Sequence, residues 1–340
     1  MSMNRPAVRA PRGFTLIELL VAVGIIVVLI GILLPALGKV AQKSRATSSA
    51  SAMNEFAKAC EAFYQQFGYY PGIVPEDILA QTPNAPISGT ENAIFHLMGG
   101  AIRNDDPTYA TAPGTELTFG NSATGQVRIK VDTSQIGKGP RVEGKQYAAF
   151  FAPKDRFFKP VRGQMNESVV IPDLVDAWGN PVLYLRSARS AGPLTGSSAT
   201  FASIGAPQFW LNPVAPYTTS PALVGSGGDQ VNAQTGSILN VNLPGAIGGV
   251  PAGVYGLAQL LRAPSVGRFA ASEVGTGDAN AALSGAARGK FVLMSAGPDG
   301  IYYGLKDGPG AQNFVFPASG AYFMPDLPSK YDDITVFGGG

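Results

Sequence analysis

An uninterrupted apolar segment near the start of the chain constrains the fold more than any other feature. No charged residue lies between Leu19 and Leu37. As an α-helix with a rise of about 1.5 Å per residue, this segment extends roughly 28 Å, close to the ~30 Å hydrocarbon core of a bilayer. A helix that is apolar on all sides belongs in a membrane or in a large core. The segment is therefore a candidate membrane span.

Basic residues precede this span. Arg5, Arg9 and Arg12 lie within the first 13 residues, which contain no acidic residue. Positive charge beside a span is retained in the cytoplasm. This asymmetry predicts a cytoplasmic N-terminus, with the rest of the chain on the other side of the membrane.

A carboxylate, Glu18, interrupts the apolar pattern near its start. An ionised group at the bilayer centre costs about 2.5–3.5 kcal/mol on insertion scales, and less near one end. The apolar segment contains no basic residue, and Arg12 lies too far away to be a helical i, i+3 or i, i+4 neighbour. Cleavage after Gly13 would give Phe14 a cationic amine close to Glu18, and would so supply a partner.

The segment 13–37, "GFTLIELLVAVGIIVVLIGILLPAL", resembles the class III leader of type IV pilins and type II secretion pseudopilins, including its proline at position 35. The resemblance implies that a prepilin peptidase cleaves between Gly13 and Phe14 and then N-methylates Phe14. It also implies that Glu18 pairs with the Phe14 amine of a neighbouring subunit in a fibre. Glu18 is then tolerated because another subunit supplies the opposite charge.

Two other interpretations of the segment remain open. In the first it is an ordinary signal peptide, cleaved at the small-x-small sequence 36–38 so that the chain starts at Lys39. The apolar run is long for that purpose, and Glu18 would have no explanation. In the second it is a simple uncleaved anchor.

Composition narrows the class of protein further. The formal net charge of +2 argues against nucleic-acid binding, and 45% hydrophobic residues suffice for a core. Cys60 is the one cysteine, so no intrachain disulfide can form. In many type IV pilins a disulfide holds the C-terminal loops together. In this chain another interaction must hold them.

The helical pattern continues beyond the span and predicts one helix from Phe14 to about Phe67, with a kink or local melting at Pro35. Its exposed half carries one apolar stripe, formed by Met53, Phe56, Cys60, Phe63 and Phe67. By resemblance we expect an α+β, pilin-like fold, in which this helix packs on a small antiparallel β-sheet head. The predicted divisions are a cleaved basic leader (1–13), a transmembrane helix half (14–37), an exposed amphipathic half (38–68) and a head (69–340) with insertions at 82–170 and 191–288.

Several local elements of the head are predicted from pattern. A capping box from Ser88 to Glu91 precedes a short helix that ends near Gly99. "QVRIKVD" and Phe291–Ser295 read as strands, "KQYAAFFAP" is a further strand candidate, and "AGVYGLAQLLRAP" predicts a short helix. The segment 191–261 has one charged residue, Asp229. It is either a loop-rich insertion with a neutral surface or a contact surface for a partner.

Three segments of the head resemble the major pseudopilin of type II secretion. "DAWGNPVLYLRS" (176–187) matches its Asp-x-Trp-Gly-Asn-Pro-x-x-Tyr segment and predicts a turn that enters a strand. "SAGPDG" (295–300) matches its Ser-x-Gly-x-Asp-Gly loop, and "YDDI" (331–334) matches its Asp-Asp-Ile ending. In that family the last two segments together hold a calcium ion.

The resemblance and the residue chemistry both indicate a Ca²⁺ site at Asp299, Asp332 and Asp333. Calcium takes six to eight oxygen ligands and mixes carboxylates with backbone carbonyls. A bound ion would join the loops as a disulfide does elsewhere. The long connection 301–331 departs from the family pattern and leaves the ligand set open. The alternative is a plain turn beside a solvated acidic pair.

The sequence does not predict an enzyme. The single histidine, His96, lies on the apolar side of a short predicted helix and is expected to be structural, and no common catalytic motif is present. We expect an inner-membrane subunit of a type II secretion pseudopilus that polymerises with pilin-like subunits on an assembly platform. The alternatives are a type IV pilin or minor pilin, serving adhesion, motility or DNA uptake, and a membrane-anchored binding or enzymatic domain.

Overall fold

A computed structural model describes residues 15–81, 86–121, 125–161, 169–189, 288–304 and 331–339, together with short strands at 208–209, 246–247, 250–251, 265–267 and 322–324. The chain divides into two compact units, Met1–Arg45 and Ala46–Gly340. In the described residues the first unit is helical, whereas the second contains helices and antiparallel sheets. This α+β architecture confirms the predicted fold class. The helix predicted at 252–264 lies outside the described residues.

A single helix, α1 (Leu16–Phe67), begins in the first unit and ends in the second. It ends at the predicted residue, and it continues through Pro35. The predicted local melting at Pro35 is therefore wrong, while a kink there stays a prediction. A proline removes one backbone hydrogen bond. The flanking Leu34 and Ala36 are strong helix formers, so the helix persists on both sides.

The apolar stripe of α1 organises the main core of the second unit. Met53, Phe56, Cys60 and Phe63 are buried and Phe67 is half-buried against the same cluster, which confirms the predicted stripe. The Phe56 ring makes edge contacts with Phe151 and Tyr184, at centroid distances of 5.1 and 5.9 Å. Burial raises the pKa of the Cys60 thiol well above its usual value. Cys60 is thus a core residue without thiolate character.

Two short helices follow, α2 (Glu76–Gln81) and α3 (Gly89–Met98). Ser88 caps α3, and the Glu91 side chain accepts from the Ser88 amide at 2.7 Å, which confirms the predicted capping box. The helix ends at Gly99, where φ is +85°. A Cβ there would lie 2.0 Å from the Gly139 carbonyl oxygen. Glycine is therefore required where α3 turns into the following strand.

The strands are short and pair in antiparallel fashion. Their bounds are β1 Ala101–Arg103, β2 Thr115–Asn121, β3 Gly125–Val131, β4 Arg141–Val142, β5 Lys145–Gln146, β6 Phe158–Pro160, β7 Pro172–Leu174, β8 Leu183–Arg189, β9 Gln208–Phe209, β10 Ala246–Ile247, β11 Val250–Pro251, β12 Ser265–Gly267, β13 Phe291–Ser295, β14 Tyr322–Met324 and β15 Ile334–Gly338. One sheet has the order β15-β13-β8-β9 and another the order β1-β3-β2, while β4-β5, β6-β7, β10-β11 and β12-β14 form two-stranded pairs.

The two larger sheets bury different clusters. The buried α1 residues pack with Tyr184 of β8 and with Phe291 and Leu293 of β13. A second cluster gathers Leu117 and Ile129 under the sheet β1-β3-β2. This sheet leaves its other face, which includes Lys130, outside that cluster because successive strand residues point in opposite directions.

The structure confirms most of the predicted strands. β3 covers the alternating segment "QVRIKVD", and β13 coincides with Phe291–Ser295. The segment "KQYAAFFAP" is a strand only at β5, so the longer prediction is wrong. The Phe150 amide instead donates to the Leu97 carbonyl at 2.8 Å, and the ring packs on Phe63 at 5.4 Å. Aromatic packing on the helices outweighs strand pairing there.

Candidate functional site

A ring of hydrogen bonds closes the first turn of α1 around Glu18. The Thr15 amide and hydroxyl donate to Glu18 Oε2 at 2.9 and 2.8 Å, and the Glu18 amide donates to Thr15 Oγ1 at 3.3 Å. This reciprocal arrangement is a capping box. Thr15 was not predicted as a partner of Glu18, although Thr-x-x-Glu is the spacing that predicts a capping box.

The capping box leaves part of Glu18 available. Both Thr15 donors meet Oε2, and Oε1 accepts no hydrogen bond from the residues that the structure describes. The side chain is exposed. Glu18 can therefore keep its cap and still receive a cation from another molecule. The predicted processing residues, Gly13 and Phe14, lie outside the described residues.

The helical surface that follows Glu18 is exposed and apolar. Large aliphatic side chains from Leu16 to Val40 are each more than half exposed. By length and composition α1 is the one helix, among the described residues, that could cross a membrane. Such a surface has to be covered by lipid or by other apolar helices.

A buried carboxylate joins two of the motif segments in the head. Asp176 Oδ1 accepts from the Trp178 and Asn180 amides at 2.8 and 2.9 Å, and Oδ2 accepts from the Ser295 hydroxyl at 2.8 Å. Asp176 is 2% exposed, and burial raises the pKa of its carboxyl. The sequence predicted the turn at 176–181 but not the contact with Ser295, which lies far along the chain.

The loop 296–304 also contacts the C-terminal segment 331–333. The Tyr303 amide donates to both carboxylate oxygens of Asp333 at 2.9 Å. A Cβ at Gly297 would lie 2.9 Å from the Asp332 carbonyl oxygen, so the two backbones approach closely. The structure thus brings together the two segments that the sequence analysis associated with calcium.

The three predicted calcium ligands differ in their surroundings. Asp333 is buried, whereas Asp332 and Asp299 are exposed, and Asp299 accepts from the Ile301 amide at 2.9 Å. Within the described residues, no three His, Cys, Asp or Glu side chains group as a metal site would require. Calcium also accepts backbone carbonyl oxygens, so a site here would rely on them as well as on carboxylates. Calcium binding stays a prediction.

His96 is a structural residue of the core. Its Nδ1 accepts from the Gly72 amide at 3.1 Å, and its ring stacks on Phe63 at a centroid distance of 5.1 Å. Burial, with the positive charges of Arg186 and Arg103 adding to it, lowers the pKa of His96 to about 3. The imidazole therefore stays neutral in the folded head.

This burial predicts a loss of stability in mild acid. The unfolded chain binds a proton at His96 near pH 6.5, whereas the folded chain does not until about pH 3. Stability from this group is complete above pH 6.5 and is lost as the pH falls toward 3. We expect a loss of about 2 kcal/mol between pH 7 and pH 5 in urea unfolding of the full chain. Because His96 is the one histidine, the variant His96→Gln should lack that slope, and an equal slope in the variant would contradict the assignment.

The comparisons with known proteins bear on the N-terminus. Residues 8–34 match the prokaryotic N-terminal methylation motif. Comparisons with curated proteins and with solved structures found no match. The matched residues include Gly13, Phe14 and Glu18. The methylation motif supports a type IV pilin-like subunit, which is a structural rather than an enzymatic class.

Proposed function

We propose that this chain is a structural subunit of a type II secretion pseudopilus, which helps to export folded proteins. The observation that carries the proposal is the methylation motif at residues 8–34. The same segment forms an exposed apolar helix whose first turn presents a carboxylate oxygen, Glu18 Oε1, without a hydrogen-bond partner among the described residues. We place the helix in the inner membrane and the head on the periplasmic side.

The assembly mechanism follows from these groups. Prepilin peptidase removes residues 1–13 and methylates the new Phe14 amine, which stays cationic because N-methylation keeps the charge. Glu18 Oε1 of one subunit accepts from the Phe14 amine of the next. As the apolar helices pack together, the Glu18 carboxylate and the Phe14 amine are removed from water. A charge buried between the helices without its partner would cost several kcal/mol. The pairing therefore selects one axial position for each incoming subunit.

Secretion rather than adhesion, motility or DNA uptake is proposed from the head. Three of its segments resemble the major pseudopilin, and Asp176 and Ser295 join two of them through a buried hydrogen bond. A type IV pilin or minor pilin is the second candidate. An anchored enzyme is less well supported, since the one histidine is buried and neutral.

Deletion of the subunit in the cells that make it distinguishes these candidates. A pseudopilin predicts that exported proteins accumulate folded in the periplasm and disappear from the medium, and the intact gene restores export. Normal export together with the loss of surface fibres, motility or DNA uptake would show a type IV pilin instead.

We also propose that Ca²⁺ binds between the loop 296–304 and the segment 331–333, with Asp299 and Asp332 or Asp333 as ligands. The contact between the two segments supports this. A chelator is expected to lower the thermal midpoint of the head by several degrees, and calcium but not magnesium should restore it. An unchanged midpoint would remove the calcium site without affecting the assembly mechanism.

A further inference from the structure

A cleft opens beside the sheet β1-β3-β2, on the face turned away from the second core cluster. Its volume is about 440 Å³, within the range of ligand-binding clefts. One side is formed by β1 and β3, through residues that include Ile102 and Lys130, and the other by the turn at 135–139 and the hairpin β4-β5. The lining includes Gly100, Ala101 and Ile102, at the β1 edge of the sheet.

The cleft is preformed by close backbone packing. The amides of Gly137 and Gly139 both donate to the Met98 carbonyl, at 2.9 and 2.8 Å. A Cβ at Gly139 would lie 2.0 Å from the Tyr147 carbonyl oxygen, and one at Gly100 would lie 2.4 Å from Ile136. The walls are therefore fixed by contacts that admit only glycine.

Three cationic side chains line this cleft, namely Lys130, Lys138 and Arg141. Lys130 Nζ donates to two carbonyls, Ala110 and Ala112, at 3.3 and 3.1 Å, and lies 5.0 Å from the centroid of the Tyr109 ring, so it contributes positive charge to the cleft rather than a free donor. The Lys138 ammonium is exposed and makes no ion pair among the described residues. The cleft thus retains donors that point to an anionic ligand.

Arg141 is fixed in place and still keeps free donors. Its Nη2 donates to the Gly144 carbonyl at 2.7 Å, and its Nε lies 3.5 Å from Asp106 Oδ2. A guanidinium has five N–H donors. The neighbouring carboxylate Asp132 accepts from the Ser134 amide and hydroxyl of its own turn, at 3.0 and 2.7 Å. Asp132 also attracts Lys138 electrostatically, and Asp106 pairs with Arg141, so two carboxylates face the three cations of the cleft.

The residues that line the cleft carry a net positive charge, since they include three basic side chains and one acidic side chain, Asp132. We infer that this cleft binds a short acidic segment of a polypeptide, held in extended form, with its carboxylates on Lys138 and Arg141 and its backbone along β1. Opposite charge steers such a segment into the cleft. This binding site is additional to the assembly site at Glu18 and does not depend on it.

The test uses the full chain in non-ionic detergent micelles and two fluorescein-labelled peptides. The acidic probe is Gly-Asp-Glu-Asp-Glu-Gly, and the neutral probe is Gly-Asn-Gln-Asn-Gln-Gly. Fluorescence anisotropy should show saturable binding of the acidic peptide only. The variant Lys138→Glu should weaken that binding by about tenfold or more, because an attraction becomes a repulsion.

The matched control is Lys154→Glu, at an exposed lysine that does not line the cleft. It should change the affinity by less than about twofold, since a lysine outside the lining does not contact the bound carboxylates and salt screens exposed charges. Both variants should keep the thermal midpoint of the unaltered chain. Equal weakening by both variants, equal binding of the neutral peptide, or no saturable binding up to about 1 mM peptide would overturn the inference.

Discussion

The variant Glu18→Ala is expected to form at least about tenfold fewer fibres than the unaltered chain, while its insertion into the membrane is unchanged. Truncating one partner of a buried charge pair costs about 2–5 kcal/mol, much of it from the charge that stays unpaired. In the proposed assembly mechanism that charge is the Phe14 amine of the neighbouring subunit. Insertion should not suffer, because alanine is easier than an ionised glutamate to place near a bilayer.

Two matched variants separate the charge from the capping box. Glu18→Gln keeps an oxygen that can accept from the Thr15 amide and hydroxyl but removes the charge. Glu55→Gln removes a carboxylate from an exposed position of the same helix. Sedimentation of fibres and alkaline extraction of membranes measure assembly and insertion. We expect Glu18→Gln to fail in assembly and Glu55→Gln to assemble normally. Normal fibre yield from Glu18→Gln would show that charge pairing is not required.

The variant Asp176→Ala is expected to destabilise the head by about 3–5 kcal/mol. It leaves the Trp178 and Asn180 amides and the Ser295 hydroxyl without their acceptor. A buried donor without an acceptor costs about 1–3 kcal/mol, and here the Ser295 hydroxyl is buried while the two amides are partly buried. Urea unfolding of the full chain in micelles, followed by near-UV circular dichroism, should show a midpoint lower by about 1 M or more.

The control for this variant is Asp155→Ala, which removes an exposed carboxylate from the same unit. Substitutions at such surface positions usually change stability by less than about 0.5 kcal/mol. An Asp176→Ala head that unfolds at the same urea concentration as the Asp155→Ala head would contradict the role assigned to the Asp176 network.

Local chemistry was predictable from the sequence where short spacing determines structure. The stripe from Met53 to Phe63 repeats at helical intervals, and Ser88 and Glu91 have the capping-box spacing. Strand β3 follows from strict alternation. In each case the residues that fix the element are neighbours in the chain.

Long-range contacts were not predictable in the same way. Nothing near Asp176 in the chain indicates that Ser295 donates to it, because the partner is brought there by the pairing of β8 with β13. The requirement for Gly99 likewise depends on Gly139, a residue of a different turn. The cleft beside β1 depends on that same approach, so only the folded chain reveals it.

The intact mass and the N-terminal residue of the protein extracted from membranes show whether the chain is cleaved after Gly13. We expect a chain that lacks residues 1–13 and begins with N-methylated Phe14. A chain that starts at Lys39, or one that keeps the complete leader, would contradict the assembly mechanism, because neither would place a cationic Phe14 amine within reach of Glu18.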